Sequence, residues 1–433
     1  MPRPSPRVTV LGLNYPPEHT GISPYTGAMA RGLVRRGHPT RVVTTHPHYP
    51  NWRVTPGYGQ WSRREHLDGV HVHRVKHYVP ARPVGMRRLL SEVSYGARLQ
   101  TTRWHSPDAI VAVSPALISS TLATLRAKTL NRSTPLVVWV QDLYSLGLTE
   151  TGQGGGTVLR IMRTLEGWLL RNADRVVVIH DRFATRVHED FGVPRERIEV
   201  VRNWTHLPPS PVIDVAAARR ELGWGDETVI LHAGNMGVKQ GLDNVVSAAE
   251  LAASRGDKVR FVLLGGGSDR ARLERLGRGI PTLQFLDALD DAGFAAALGS
   301  ADVLLVNEKA GVSEMAVPSK LTSYFSTGRP VLAATDPTGI TADEVRAADA
   351  GVVVAAGHPA NLLDAALALG ADPDRCARLG ANGRRYRETV LDEEAAIDQF
   401  SAMIMRLCGH GSVDESPHEP TEVPTSHEAR STV

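Results

Sequence analysis

With 433 residues, the chain is too long for one ordinary domain and suits two of about 150 to 200 residues, each with its own core. A composition that is 42% hydrophobic and 22% charged excludes fibrous and wholly disordered classes, and two cysteines, Cys376 and Cys408, exclude a disulfide framework and fit a reducing, cytoplasmic location. The formal charge of +3 hides an asymmetry, because residues 1–208 hold 28 Lys/Arg against 14 Asp/Glu and the remainder 21 against 32, so the basic half would attract phosphates or an anionic membrane surface.

The chain opens with "MPRPSPRVTV", which lacks the apolar run of a signal peptide, and no later stretch holds the roughly 18 successive apolar residues of a membrane span. "RVTVLGL" reads as a strand, after which Ser23 is expected to cap a helix with Pro24 at its first position and Gly37 at its end. "TRVVTT", "VHVHRV", "AIVAVS", "PLVVWV", "RVVVIH" and "IEVV" follow as strands, mostly with helical stretches between them. The Pro-rich "NWTHLPPSPVID" interrupts this α/β pattern. The series restarts with "TVILHAGN", "VRFVLLG", "TLQFL", "ADVLLVN", "RPVLAAT" and "AGVVVAA", and two doubly wound sheets are expected rather than one of unusual width. A helical pattern runs from Glu393 to Leu407, and the polar, acidic remainder from residue 409 reads as a disordered tail. No zinc-ligand spacing, RNA-stacking motif or recognition-helix module is found, so nucleic acid is not an expected partner.

In open α/β sheets ligands bind past the carboxyl ends of strands, where helix N-termini present amides to anions. "VILHAGNMGVKQGLDNV" has that layout, with Gly234, Lys239 and Gly241 between a strand and a helix. Two readings stand: a diphosphate held by close backbone and the Lys239 charge, or a tight turn with a solvated lysine. "VLLGGGSDRARL" places Gly266 in a second such loop, and "LGLNYPPEHTGISPY" places Gly21 in a third. None matches G-x-G-x-x-G followed by an acidic residue, which argues against a dinucleotide. In "VPSKLTSYFSTGRPVLAAT" a helix starting near Pro318 would aim the amides of Ser319 and Lys320 at an anion and end at Gly328. A lysine in a first turn opposes the macrodipole unless an anion is near, although a surface charge is the alternative.

Taken together, "LGLNYPPEHTGISPYTGAMARGLVRRGH", "THPHYPNW", "WVQDLYSLGL", "VVRNWTHL", "GNMGVKQGLDNV" and "VPSKLTSYFSTGRPV" resemble glycosyltransferase family 4, the retaining GT-B enzymes, and within it the colanic-acid-type exopolysaccharide branch. The resemblance implies two facing Rossmann-like domains with a cleft between them. Residues 1–205 would form the acceptor domain and 206–390 the nucleotide-sugar donor domain. Residues 391–408 would form a helix crossing back to the first domain, with a tail at 409–433. It places the diphosphate near Gly234, Asn235 and Lys239, with Gly21 closing from the other side, and the base near Leu286 and Asp287, within "QFLDAL". Asn235 stands where many members carry arginine, and Gln240 intervenes between Lys239 and Gly241, so Lys320 is expected to supply positive charge. The paired glutamates of many members are absent: the equivalent positions fall at Ser323 and near Met315, beside Glu314.

The only D-x-D is Asp372-Pro373-Asp374, read as a turn or cap, so no metal or other cofactor is expected, and fixed donors would stabilise the leaving diphosphate. Asp142, after "PLVVWV", could accept a hydrogen bond from an acceptor hydroxyl, or serve as a cap. His46 and His48 in "THPHYP" are further catalytic candidates, the alternative being solvated loop histidines. Met86, Leu89, Leu90, Val93 and Ala97 share one helical face, as do Val158, Ile161, Met162, Leu165 and Trp168, each beside arginines. Such faces either pack on the core or rest on an anionic leaflet. The expected activity is transfer of a hexose from a nucleotide sugar to a lipid-linked or oligosaccharide acceptor in exopolysaccharide or cell-envelope polysaccharide synthesis. The location is cytoplasmic or peripheral on the inner face of the plasma membrane. A GT-B nucleotide-sugar 2-epimerase and a non-catalytic nucleotide-sugar-binding protein are the alternatives.

Overall fold

The computed structural model describes residues 4–19, 21–83, 85–151, 156–204, 213–311 and 319–409. β1 (Val8–Leu11), β2 (Thr40–Thr45), β3 (Ser62–Leu67), β4 (Val70–Val75), β5 (Ala109–Ser114), β6 (Leu136–Val140), β7 (Arg175–Val178) and β8 (Ile198–Val200) form one sheet, ordered β3-β4-β2-β1-β5-β6-β7-β8. β9 (Thr228–Ala233), β10 (Val259–Leu264), β11 (Leu283–Leu286), β12 (Val303–Asn307), β13 (Val331–Thr335) and β14 (Gly351–Ala355) form the other, ordered β11-β10-β9-β12-β13-β14.

Both are parallel wherever helices cover their two faces, and this explains the unbroken apolar runs. β1, β5 and β6 are buried along their whole length. Val8 at the start of β1 pairs with Thr40 on one side and Ala109 on the other, which sets the register of the central three strands. The exception is β3, an edge strand antiparallel to β4, alternately exposed and half-buried. Its sequence, SRREHL, carries no apolar run, so it escaped the strand pattern expected above. The buried Arg74 of β4 holds it through Glu65 and donates to the Thr45 carbonyl at 3.0 Å.

The helix Ser23–Arg35 starts where expected, but Ser23 is not its cap. No side chain caps that end; the Ser23 hydroxyl instead donates to the Glu18 carbonyl at 2.8 Å, tying the helix to the loop before it. In the helix Leu117–Leu130, the Ile118 amide donates to the buried carboxylate of Glu92 at 3.0 Å. Residues 205–212, most of the expected Pro-rich junction, lie outside the described residues. Trp204 before them is buried among Tyr25 and Trp139, and Asp214 after them caps the helix Val215–Glu221 through the Ala217 amide at 3.0 Å.

The helix Glu393–Leu407, capped by Asp392, packs on the first sheet's side of the molecule. Arg36 reaches Asp398 at 2.6 Å, and His38 meets the Ser401 hydroxyl at 2.8 Å. A Cβ at Gly32 would fall 2.3 Å from Ile397 Cδ1, so the two helices cross at that glycine. Phe400, Met403 and Ile404 enter the core cluster that holds Val10, Val111 and Trp139, with Phe400 edge-on to Trp139 at 5.0 Å. The expected tail from residue 410 onward lies outside the described residues. Among those described, no helix is long and apolar enough to cross a membrane.

Because Phe400 fills the core of a sheet whose strands all lie about 200 residues or more before it, Phe400→Ala should cost about 3–5 kcal/mol, read from urea unfolding of the full chain. Burial pushes the Glu92 carboxyl up to about 7, against the Ile118 amide and Arg88, which lower it. A folded carboxyl that keeps its proton to higher pH than the unfolded one contributes stability below the unfolded range and loses it as pH rises toward 7. Glu92→Gln should therefore gain about 1–3 kcal/mol on wild type between pH 5 and pH 8, measured by urea midpoints at both.

Candidate active site

The loops past β1, β2, β5 and β6 form one wall of a cavity of about 510 Å³. Glu18 joins two of them: its buried carboxylate accepts from the backbone amides of His48 (2.7 Å) and Tyr49 (2.8 Å) and from the Asn14 amide group (2.9 Å). Gly21 lines the cavity at φ +65°, a backbone that favours glycine, with the Tyr49 ring 3.4 Å from where a Cβ would stand. Nothing in the sequence pattern singled out Glu18, which reads as one polar residue of a loop.

The two candidate histidines part company. His48 lines the cavity; its Nδ1 lies 3.0 Å from the His46 carbonyl, which can only accept, so Nδ1 carries a proton. Its Nε2 is buried with no protein hydrogen-bond partner. His46 is not among the lining residues. Its Nε2 meets the Gln60 carbonyl at 2.8 Å, its ring tilts against Tyr58, and burial lowers its pKa. Asp142 lines the cavity beside Gln141, whose amide exchanges two hydrogen bonds with Asn203 at 2.9 and 2.8 Å. At the start of the next helix Glu166 accepts from the Tyr144 and Ser145 amides at 2.7 and 3.1 Å. Arg88, Ser91 and Glu92 complete this wall, and the buried Ser91 hydroxyl has no protein partner. Their helical spacing was visible in the sequence, but which face met a cavity was not.

The second domain gives the cavity Leu321 and Thr322, directly after Lys320, and Glu344. Glu344 is also the clasp between domains. It accepts from Arg202 at 2.6 Å and from Tyr386 at 3.0 Å and faces His180 at 3.6 Å. Burial raises its pKa, but the His180 hydrogen bond and the Arg202 charge outweigh that and leave it lowered. Next to it Arg182 donates to Asp343 at 2.7 Å, and Ile340 packs into the first domain's core.

Past β9 and β10 the glycine loops stack on one another. Gly234, Gly265 and Gly267 stand at φ +118°, +121° and +152°; a Cβ at Gly265 would fall 2.4 Å from the Gly234 carbonyl oxygen, and one at Gly267 2.4 Å from that of Met236. Gly266 accepts from the Met236 amide at 2.7 Å. These glycines are thus required for backbone-to-backbone contact, which braces the Gly234 turn. The Leu286 carbonyl takes part by accepting from the Gly265 amide at 3.0 Å, and the exposed Asp287 pairs with Arg270 at 2.7 Å, which in turn donates to the Gly265 carbonyl at 2.5 Å. Lys239, exposed in a short 3₁₀ turn (Val238–Gln240), is anchored through its carbonyl to the Lys309 amide at 2.9 Å, and Asn235 is exposed.

Lys320 lies in the first turn of the helix Ser319–Thr327, as expected. A Cβ at Gly234 would lie 3.3 Å from its Cε, and its ammonium is 2.8 Å from His232 Nε2. Burial brings its pKa down to about 8, opposed by Glu308. Among the described residues no carboxylate forms an ion pair with Lys320. Glu314 and the Ser319 side chain lie outside the described residues. Among those described, no cluster of three or more His, Cys, Asp or Glu is arranged to hold a metal ion. The structure therefore makes two groupings of the expected residues: Gly21, His48 and Asp142 in the cavity lining, and Gly234 against Lys320, which precedes the lining residues Leu321 and Thr322 in its helix. Gly234, Lys320, His46, Lys239, Asn235, Gly266, Leu286 and Asp287 are outside the lining.

Residues 20–204 match the family model described as a glycosyl transferase 4-like domain, and residues 227–372 match that of glycosyl transferases group 1. The chain is 34% identical over 336 residues to the putative colanic acid biosynthesis glycosyl transferase WcaI of Escherichia coli (strain K12), covering 74% of this chain and 81% of that protein. It is 26% identical over 257 residues to the probable glycosyltransferase WbjE of Pseudomonas aeruginosa, covering 58% and 62%. Among solved structures, sucrose-phosphate synthase from Thermosynechococcus elongatus superposes with a TM-score of 0.69 at 17% identity, over 94% of this chain and 100% of that one. Anabaena HepE in complex with UDP gives 0.65 at 15% identity, over 92% and 100%. At such identities these likenesses speak for the GT-B fold alone. Fold, family models and the similarity to WcaI agree: the chain belongs to glycosyltransferase family 4 and is a glycosyltransferase.

Proposed function

We propose that the chain transfers a hexose from a nucleoside-diphosphate sugar, with retention at the anomeric carbon, to a lipid-linked glycan acceptor in exopolysaccharide or cell-envelope polysaccharide synthesis. The observation that carries this reading is the half-buried Lys320 ammonium, in a helix's first turn against the Gly234 turn, with no carboxylate paired to it among the described residues. A buried cation whose facing carboxylate, Glu308, makes no ion pair with it favours an anionic ligand, and the adjoining helix amides add to that preference. A diphosphate suits the place, with the sugar projecting past Leu321 and Thr322 into the cavity. The names of WcaI and WbjE, and the UDP and UDP-glucose complexes of HepE, support the same class of substrate.

In this reading the bond from the anomeric carbon to the diphosphate oxygen breaks while the acceptor oxygen bonds to the same face. The acceptor's proton passes to the leaving phosphate. Lys320 stabilises the charge that develops there, in the role a metal ion fills in other transferases. Asp142 and His48, both in the cavity lining, orient the acceptor hydroxyl; His46 supports the wall. Exposed apolar side chains support a membrane-borne acceptor. Met86 is 68% exposed and Ile161 52%, with Leu90, Val93 and Val158 also outward, while Leu89, Met162 and Leu165 of the same two stripes pack on the core. Arginines 87, 88 and 160 accompany them and suit an anionic leaflet.

A lysine is charged below its pKa, so affinity for the nucleoside diphosphate should fall as pH rises through about 8. Lys320→Met should weaken binding about tenfold or more at pH 7 and flatten that dependence, measured by calorimetry with UDP, GDP and ADP. Product analysis then separates glycosyl transfer from an epimerised donor or from binding without turnover, either of which would replace the reading. In co-sedimentation, vesicles rich in anionic lipid should retain the protein, and Met86→Asp with Leu90→Asp should lower retention about tenfold. Equal retention by neutral vesicles would remove the membrane part of the proposal.

A further inference from the structure

His232 occupies the penultimate position of β9, two residues before Gly234, and is fully enclosed. β9 lies between β10 and β12, where an aliphatic side chain is the ordinary occupant. An imidazole there surrenders its hydration, and with Nδ1 buried without a hydrogen-bond partner, what it offers that a leucine could not is Nε2. Its Nε2 is 2.8 Å from the Lys320 ammonium. An ammonium can only donate, so Nε2 holds the lone pair and the ring is neutral. Burial and then the Lys320 charge keep it so, lowering its pKa well below the ordinary value.

We propose that His232 is a positioning residue of the donor site, accepting one ammonium proton of Lys320 and so fixing that charge over the Gly234 turn for a nucleoside diphosphate. The inference rests on the reading of Lys320 given above. A lysine side chain carries its charge on a flexible four-carbon stem, and pinning it in advance removes an ordering cost that the ligand would otherwise bear. Two contacts pin this one. The stem lies against Gly234, where a Cβ would be 3.3 Å from Cε, and the head is held by the imidazole. The charged group acting on Lys320 from the neighbouring strand is Glu308, past β12, itself fixed by the hydroxyls of Thr335 and, at 2.8 Å, Thr341. Tyr324, one turn further along the same helix, is committed to the β9 backbone through the Ala233 amide at 2.9 Å.

His232→Leu removes the acceptor, whereas His232→Gln places an amide oxygen close to the former Nε2. Both are titrated with UDP, GDP and ADP by calorimetry between pH 6.5 and 9.5, beside Lys320→Met and wild type, with melting temperatures of the nucleotide-free proteins as a check on folding. His232→Leu should weaken the tightest of the three nucleotides about tenfold at pH 7.5 and move the alkaline loss of binding about one pH unit lower, because an ammonium without its acceptor gives up its proton more readily. His232→Gln should bind within about twofold of wild type with the alkaline limb unmoved. If His232→Leu folds poorly, His232→Asn, too short to reach Nζ, should show the same weakening. Wild-type affinity and an unmoved limb in the Leu or Asn variant, with Lys320→Met weakened, would overturn the positioning role alone. Wild-type affinity in Lys320→Met would overturn the reading of Lys320 beneath it.

Discussion

Parallel strands covered by helices on both faces have no polar surface to offer along their length, so the loops past their carboxyl ends are where this molecule can hold a charged ligand. Nearly every group of the candidate site obeys that constraint. Asn14, His48, Pro115 and Asp142 follow β1, β2, β5 and β6, and Gly234, Gly265 and Glu308 follow β9, β10 and β12. The interdomain clasp at Glu344 joins the second domain to the cavity that Asn14, His48, Pro115 and Asp142 line.

The glycines of the second domain serve this arrangement less directly than their spacing suggests. Gly265 and Gly267 approach the backbone of the Gly234 turn, and only that turn meets the Lys320 stem. Rigidity is built outward in layers, from the Leu286 carbonyl and the Arg270–Asp287 pair through the triple glycine to the turn that meets Lys320. A positively charged head placed on such a base keeps little of the freedom that a lysine stem ordinarily has.

Much of the fold was legible because apolar runs and turn residues alternate so regularly that thirteen of the strands could be read directly. β3 was not, since an edge strand made of SRREHL owes its place to Glu65 and Arg74 and not to apolar pattern. Periodicity also located the stripe containing Met86 and Leu90 without saying which side it faced, because a core face and an exposed face share one spacing. Lys320 could be singled out by its conflict with a helix dipole. His232 could not: inside TVILHA it reads as one strand residue among six, and its meaning depends on a helix nearly ninety positions later. Glu18, Ser91 and Glu344 were missed for the same reason, each being defined by partners distant in sequence or by the cavity it borders. Ser23 was assigned the right helix start and the wrong bond, since the Glu18 carbonyl competes for its hydroxyl.

The return of the helix Glu393–Leu407 to the first domain has a bearing on how the protein is made. Trp139 and Val111 emerge from a ribosome long before Phe400 and Ile404, yet all four share one core. The first-made half must therefore wait, with an apolar face unsealed, while the second half is translated and folds. The order of synthesis and the order of completion are opposite: the N-terminal domain begins first and is finished last.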